Sequence, residues 1–106
     1  MSGCEANFCN FCTETSRFTI LAKEPFALAV RNGGIYTPDF LCIGGDGEVC
    51  LVEVKSRNAL PNEDAAWDKF LDASRRNPQI SFLWVRPDGA GGFNMTKARA
   101  GECESL

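Results

Sequence analysis

The spacing of apolar positions changes several times along the chain, and each change marks an element. Cys4, Phe8, Phe11, Cys12 and Thr15 recur at three- and four-residue intervals, which predicts a helix over residues 4–15 with one apolar face. Ser2 is placed to cap it, with Glu5 three residues later as the reciprocal partner of a capping box. Residues 17–22 read as a strand; Lys23-Glu24-Pro25 interrupts it, and residues 26–31 resume it. Asn32-Gly33-Gly34 is a turn.

From Ile35 to Ile43, β-branched and aromatic residues predominate. Gly44-Gly45-Asp46-Gly47 then supplies the positive φ values of a tight turn, and Glu48 to Lys55 returns as a second strand of an antiparallel hairpin. Val49, Leu51, Glu53 and Lys55 share one face of that strand; Cys50, Val52 and Val54 share the other. Asn62 is the expected N-cap of a second helix, with Glu63 and Asp64 in its first turn. Ala66, Trp67, Phe70 and Leu71 form its apolar stripe, and Asn77-Pro78 ends it. Ile80 to Arg86 is a continuous apolar run, expected to be a strand buried on both faces. A loop (87–92), a last short strand (93–97) and a polar tail follow. This order predicts one α/β domain over residues 1–106: a mixed sheet with a central β-hairpin, flanked by helices.

Composition adds mainly exclusions. The 106 residues are 44% hydrophobic with a formal net charge of −3, which is ordinary for a globular chain. No apolar run approaches a membrane span, and the first residues lack the features of a signal peptide, so a soluble, cytoplasmic protein is expected. There is no histidine. That removes Ser-His-Asp and Cys-His hydrolases and histidine-ligated metals. The acidic balance argues against tight nucleic-acid binding through overall charge, yet leaves room for a local basic patch. Three readings of the cysteines stay open. Cys4, Cys9 and Cys12 have a spacing used by iron–sulfur and zinc sites. The helical pattern around them points instead to thiols packed in a core. Disulfides would need an oxidising compartment.

The hairpin carries the candidate chemistry. A three-residue loop, Gly45-Asp46-Gly47 with Gly47 left-handed, places Asp39 opposite Glu53 on one face; a two-residue turn would put them on opposite faces. Lys55 shares the face of Glu53 in either case. Two carboxylates and a lysine at the edge of a core are costly unless something uses them. A divalent cation would relieve the repulsion, and hard oxygen donors suit Mg²⁺ or Mn²⁺, with the Val54 carbonyl as a further ligand. The plainer alternative is an ordinary ion pair on a half-exposed hairpin.

Pro38-Asp39 followed by Glu53-Val54-Lys55 resembles the signature of the PD-(D/E)xK nuclease superfamily. Within it, residues 36–41 and 52–55 are similar to the phage junction-resolving endonuclease I group and to the transposon-end-cutting nuclease. Ser2-Gly3-Cys4-Glu5 resembles the upstream helix that carries an extra acid there. The resemblance implies a restriction-endonuclease-like α/β/α core and Mg²⁺- or Mn²⁺-dependent hydrolysis of DNA phosphodiesters. Asp39, Glu53 and the Val54 carbonyl would hold the metal, Lys55 would act beside the water, and Glu5 would reach in from the first helix or else serve only as a cap. With no histidine, the base falls to Lys55, a substrate phosphate or a metal-activated water. Arg57, just past Lys55, and Arg75 and Arg76 are the DNA-contact candidates. The short chain implies a homodimer or a protein partner for activity. The rival implied role is a nuclease-fold binding or assembly module, such as a subunit of a phage particle or transposition complex, with little activity alone.

Overall fold

A sheet with apolar residues on both faces needs a cover on each, and the two helices supply one apiece. The computed structural model describes residues 2–106. The chain runs α1 (Gly3–Thr15), β1 (Phe18–Lys23), β2 (Leu28–Ala29), β3 (Ile35–Tyr36), β4 (Phe40–Gly44), β5 (Val49–Val54), α2 (Glu63–Arg76), β6 (Ser81–Pro87), β7 (Phe93–Arg99) and β8 (Glu102–Ser105). Six strands form one sheet in the order β1-β4-β5-β6-β7-β8, while β2 and β3 pair separately. Every adjacent pair in the large sheet is antiparallel except β5–β6, which is parallel with α2 as its crossover. The class is therefore α/β with a mixed sheet, as expected. Neither helix is long and apolar enough to cross a membrane.

The alternation along β5 decides which side each helix takes. Cys50, Val52 and Val54 join Phe40, Cys42, Leu83 and Val85 beneath Phe8 and Cys12 of α1. Leu51 points the other way and joins Phe82, Trp84, Ala98 and Tyr36 against Phe70 and Ala73 of α2. Phe8 is fully buried, with ring centroids 5.9 Å from Phe40 and 5.5 Å from Phe93. Burying one such side chain stabilises by about 1.5–3 kcal/mol. At the start of α1 the capping box is complete: Ser2 Oγ accepts from the Glu5 N–H at 3.1 Å, and Glu5 Oε2 accepts from the Ser2 N–H at 3.2 Å.

Four expectations change. Residues 35–43 do not form one strand, because the chain breaks at Thr37-Pro38-Asp39 and only Phe40 onward joins the large sheet. Pro38 has no N–H to give a ladder. Residues 26–31 do not resume β1; only Leu28 and Ala29 pair, with Tyr36 and Ile35. Asn62 makes no side-chain cap; instead Glu63 Oε2 accepts the Leu60 N–H at 3.0 Å. The last predicted strand runs on to Arg99, turns through Ala100 (φ 53°) and Gly101 (φ 83°), and returns as β8 from the polar tail. That strand is an exposed edge, so burial left no trace of it in the residue pattern.

Candidate active site

The hairpin turn sets the geometry of everything beyond it. Gly44 N–H donates to the Glu48 carbonyl at 2.9 Å, and Gly47 N–H donates to the Gly44 carbonyl at 2.9 Å. Gly47 takes φ 83°, where glycine carries no Cβ penalty. The loop is thus the three-residue form, and the ladder pairs Ile43 with Val49 and Phe40 with Val52. Continued by one pair, this register sets Asp39 opposite Glu53. Pro38 ends the pairing there, and the side chain of Asp39 takes over: its Oδ2 accepts the Val54 N–H at 2.7 Å. The Asp39 carbonyl is pinned from the other side by the Glu24 N–H at 2.8 Å.

Glu53 is held at both oxygens. The Tyr36 hydroxyl donates to Oε1 at 2.8 Å, and Lys55 Nζ lies 3.2 Å from Oε2. The Glu53 and Lys55 side chains are largely covered, at 13% and 18% exposed. Lys55 Nζ also sits 4.9 Å from the Trp84 ring centroid, where the ring's negative face attracts a cation. Burial, followed by the charge of Glu53, pushes the Asp39 carboxyl up to about 7; the Val54 N–H and Lys55 pull in the opposite direction. Burial also raises Glu53, opposed by the Tyr36 hydrogen bond and by Lys55. Tyr36 itself is driven far upward, first by burial and then by Glu53, so it remains a protonated donor.

Sequence reasoning missed Tyr36 and Trp84. Tyr36 comes from β3, which lies outside the main sheet, and its hydroxyl reaches Glu53 across the break at residues 37–39. Its position three residues before Asp39 was the available signal. Trp84 is paired with Glu53 across the parallel β5–β6 ladder, which makes it a neighbour of Lys55 once that pairing is known.

The remaining candidates divide. Glu5 keeps to its capping box, and no hydrogen bond among the described residues joins it to Asp39 or Glu53; its charge still raises both carboxyls. Val54 gives its N–H to Asp39, so its peptide lies at the site. Arg57 is exposed and leaves β5 two residues after Lys55, lying over Gly89. Arg75 and Arg76 are not brought to the site. Arg75 packs on Gly101 in the β7–β8 turn, and Arg76 Nε pairs with Asp72 at 2.7 Å. Both sit at the C-terminal end of α2, roughly 20 Å along its axis from Glu63. Glu63, at the opposite end, is bonded to Arg86 beside the site.

The cysteines resolve toward the core reading. All six are thiols. Cys12, Cys42 and Cys50 are buried, and Cys4 and Cys9 pack against the same cluster from α1. Among the described residues, no group of three or more His, Cys, Asp or Glu side chains is gathered to hold a metal. The donors at the hairpin are two carboxylates and backbone oxygen. They are hard ligands, as Mg²⁺ or Mn²⁺ requires. One lysine faces two part-buried carboxylates, so Asp39 ionises only near pH 7, and once it does the site carries surplus negative charge that a divalent cation would offset. The residues present fit such an ion.

No family model matches the chain, and no curated protein matches it.

Proposed function

We propose that the chain is a metal-dependent endonuclease of the PD-(D/E)xK type, with a restriction-endonuclease-like core, that hydrolyses DNA phosphodiester bonds. The observation that carries this reading is the convergence of Asp39, Glu53 and Lys55 where β4 leaves β5, with more negative charge than local partners neutralise. Asp39, Glu53 and the Val54 carbonyl would hold Mg²⁺ or Mn²⁺. Such an ion polarises a phosphoryl oxygen and lowers the pKa of a coordinated water.

The protein's own groups supply position. Tyr36 and Lys55 fix the Glu53 carboxylate from two sides. The Val54 N–H fixes Asp39. Lys55, steadied between Glu53 and Trp84, would hydrogen-bond the attacking water or a non-bridging phosphate oxygen. Among the described residues, Arg57 is the nearby cation that would meet a flanking phosphate, because Arg86 is taken up by Glu63 and the Ser56 carbonyl.

The test is cleavage of labelled linear, supercoiled and four-way-junction DNA with Mg²⁺ or Mn²⁺, comparing the native chain with Asp39→Ala and Lys55→Ala. The expected result is metal-dependent cutting that both substitutions reduce at least 100-fold. Folded protein that binds Mn²⁺ and cuts none of these substrates, with or without self-association, would replace this reading with the binding or assembly module.

A further inference from the structure

A second feature shares Arg57 with the site, and its other lining residues have no part in that site. Between α1 and the β6–β7 loop lies a groove of about 450 Å³. That is within the size range of small-ligand sites. Its floor is aromatic: Phe11 and Phe93 both line it, with ring centroids 5.3 Å apart in an edge-to-face arrangement. One wall is the exposed amide face of α1, where Asn7 and Asn10 stand a turn apart. Arg57 forms the mouth. Its guanidinium lies so close over Gly89 that a Cβ there would come 2.8 Å from Nη2. A single residue, Ser56, separates Arg57 from Lys55, which limits their Cα atoms to about 7 Å apart. The opposite wall is a fixed glycine-rich loop. Asp88 Oδ1 accepts the N–H of Ala90 at 2.7 Å and of Gly92 at 3.1 Å.

We propose that this groove takes an unpaired nucleotide of the strand being cut, so that the preferred substrate has a single-stranded stretch beside the scissile phosphate. The proposal rests on the nuclease reading above. An aromatic floor stacks any base, exposed amides offer a donor and an acceptor to a base edge, and arginine at the mouth meets the flanking phosphate. Glu14 closes the far end, one helical turn beyond Asn10. A carboxylate there repels a second phosphate and limits the groove to one nucleotide.

The test measures binding without cleavage. Fluorescence anisotropy in EDTA compares a blunt DNA hairpin with the same hairpin carrying a three-nucleotide single-stranded tail. The variants are Phe11→Leu, which keeps apolar volume but removes the stacking face, and Asn10→Glu, which adds charge at an exposed helical position and leaves the core untouched. The native chain is expected to bind the tailed DNA about tenfold more tightly than the blunt form. Both variants are expected to lose that preference and to keep the blunt-DNA affinity; Asn10→Glu keeps the native melting temperature, whereas Phe11→Leu, which gives up ring contacts to Phe8 and Phe93, melts a few degrees lower but stays folded at the assay temperature. Equal affinity for the two DNAs, no binding to either, or a preference that survives both substitutions would overturn the groove. Cleavage separates the two ideas. Metal-dependent cutting of blunt DNA without tail preference removes the groove alone. Tail preference without cutting of either DNA removes the nuclease reading alone and leaves a groove that binds an unpaired nucleotide.

Discussion

Replacing Asp39 by Asn should stabilise the folded protein at pH 8 and leave it nearly unchanged at pH 4.5. A carboxyl whose ordinary value is 3.8 ionises here near 7, because it is buried beside Glu53. The sign follows directly. Between pH 4 and 7 the folded chain holds a proton that the unfolded chain has released, so stability falls as pH rises through that window. Once charged, Asp39 destabilises the fold by at most about 4 kcal/mol. Water screening at a partly exposed carboxyl trims this to about 2 kcal/mol. Asn keeps an oxygen for the Val54 N–H and removes the charge. For a domain near 100 residues, 2 kcal/mol corresponds to a rise in melting temperature of roughly 8–16 °C. The assay is thermal unfolding by circular dichroism in metal-free buffer at both pH values. The comparison between native and Asp39→Asn isolates this carboxyl from Glu48, Glu63 and Asp72, whose lowered values act in the opposite direction at low pH. Adding Mn²⁺ at pH 8 should then raise the native melting temperature and leave the variant unmoved; saturation at 100 times the dissociation constant gives about 2.7 kcal/mol. A variant no more stable at pH 8 would show that Asp39 is not a costly buried charge, and equal stabilisation of both proteins by Mn²⁺ that it is not a metal ligand.

Tyr36→Phe leaves Glu53 Oε1 buried without its donor, so it should lose about 1–3 kcal/mol in urea unfolding and slow metal-dependent cleavage about tenfold. Arg57→Ala should weaken DNA binding several-fold at fixed salt, whereas the double substitution of Arg75 and Arg76 by Ala should leave affinity within twofold, since those residues lie at the other end of α2. Gly47→Val places a β-branched residue at φ 83°; urea unfolding should show a loss of roughly 1–3 kcal/mol. In thiol titration of the native protein Cys103, which is exposed, should react first. Cys12, pushed up to about 11, and Cys50, pushed up to about 12, both chiefly by burial, should react only on unfolding.

The hairpin was legible because its information is local. A glycine at the left-handed loop position fixes the loop length, loop length fixes the register, and register brings Asp39 to Glu53. The α1 cap was legible for the same reason, since Ser2 and Glu5 are three residues apart. What escaped depends on contacts distant in sequence. Tyr36 reaches Glu53 only after Pro38 sends β3 out of the sheet, and a run of residues 35–43 gives no hint of where its halves will pair. Trp84 meets Lys55 through a parallel pairing across a 29-residue separation. The fate of Arg75 and Arg76 needed the direction of α2, which runs back from the site end of the sheet. Edge strand β8 left no hydrophobic alternation to read, because all four of its residues are exposed.

The molecule contains its own comparison for the surplus charge. Elsewhere the buried or part-buried acids Asp72, Glu48 and Glu63 each have at least one cation to themselves. Asp72, 7% exposed, accepts the Arg31 N–H at 2.9 Å and the Arg76 Nε at 2.7 Å, with the Arg31 guanidinium at 3.5 Å. Glu48 has both Lys97 and the Ser81 hydroxyl. Glu63 has Arg86. At the hairpin two carboxylates share one cation: besides the neutral Val54 N–H and Tyr36 hydroxyl, Asp39 and Glu53 have only Lys55 between them, and Glu5 adds to their repulsion from α1. An apolar pair of similar size at these positions would leave the fold no less stable. The three groups also sit at the carboxyl end of β5, beside the carboxyl end of β6, its parallel neighbour. In α/β sheets, ligands bind outside that edge. A local excess of negative charge at that edge, with a lysine and an exposed arginine beside it, is the arrangement that a divalent cation and a phosphodiester together would neutralise.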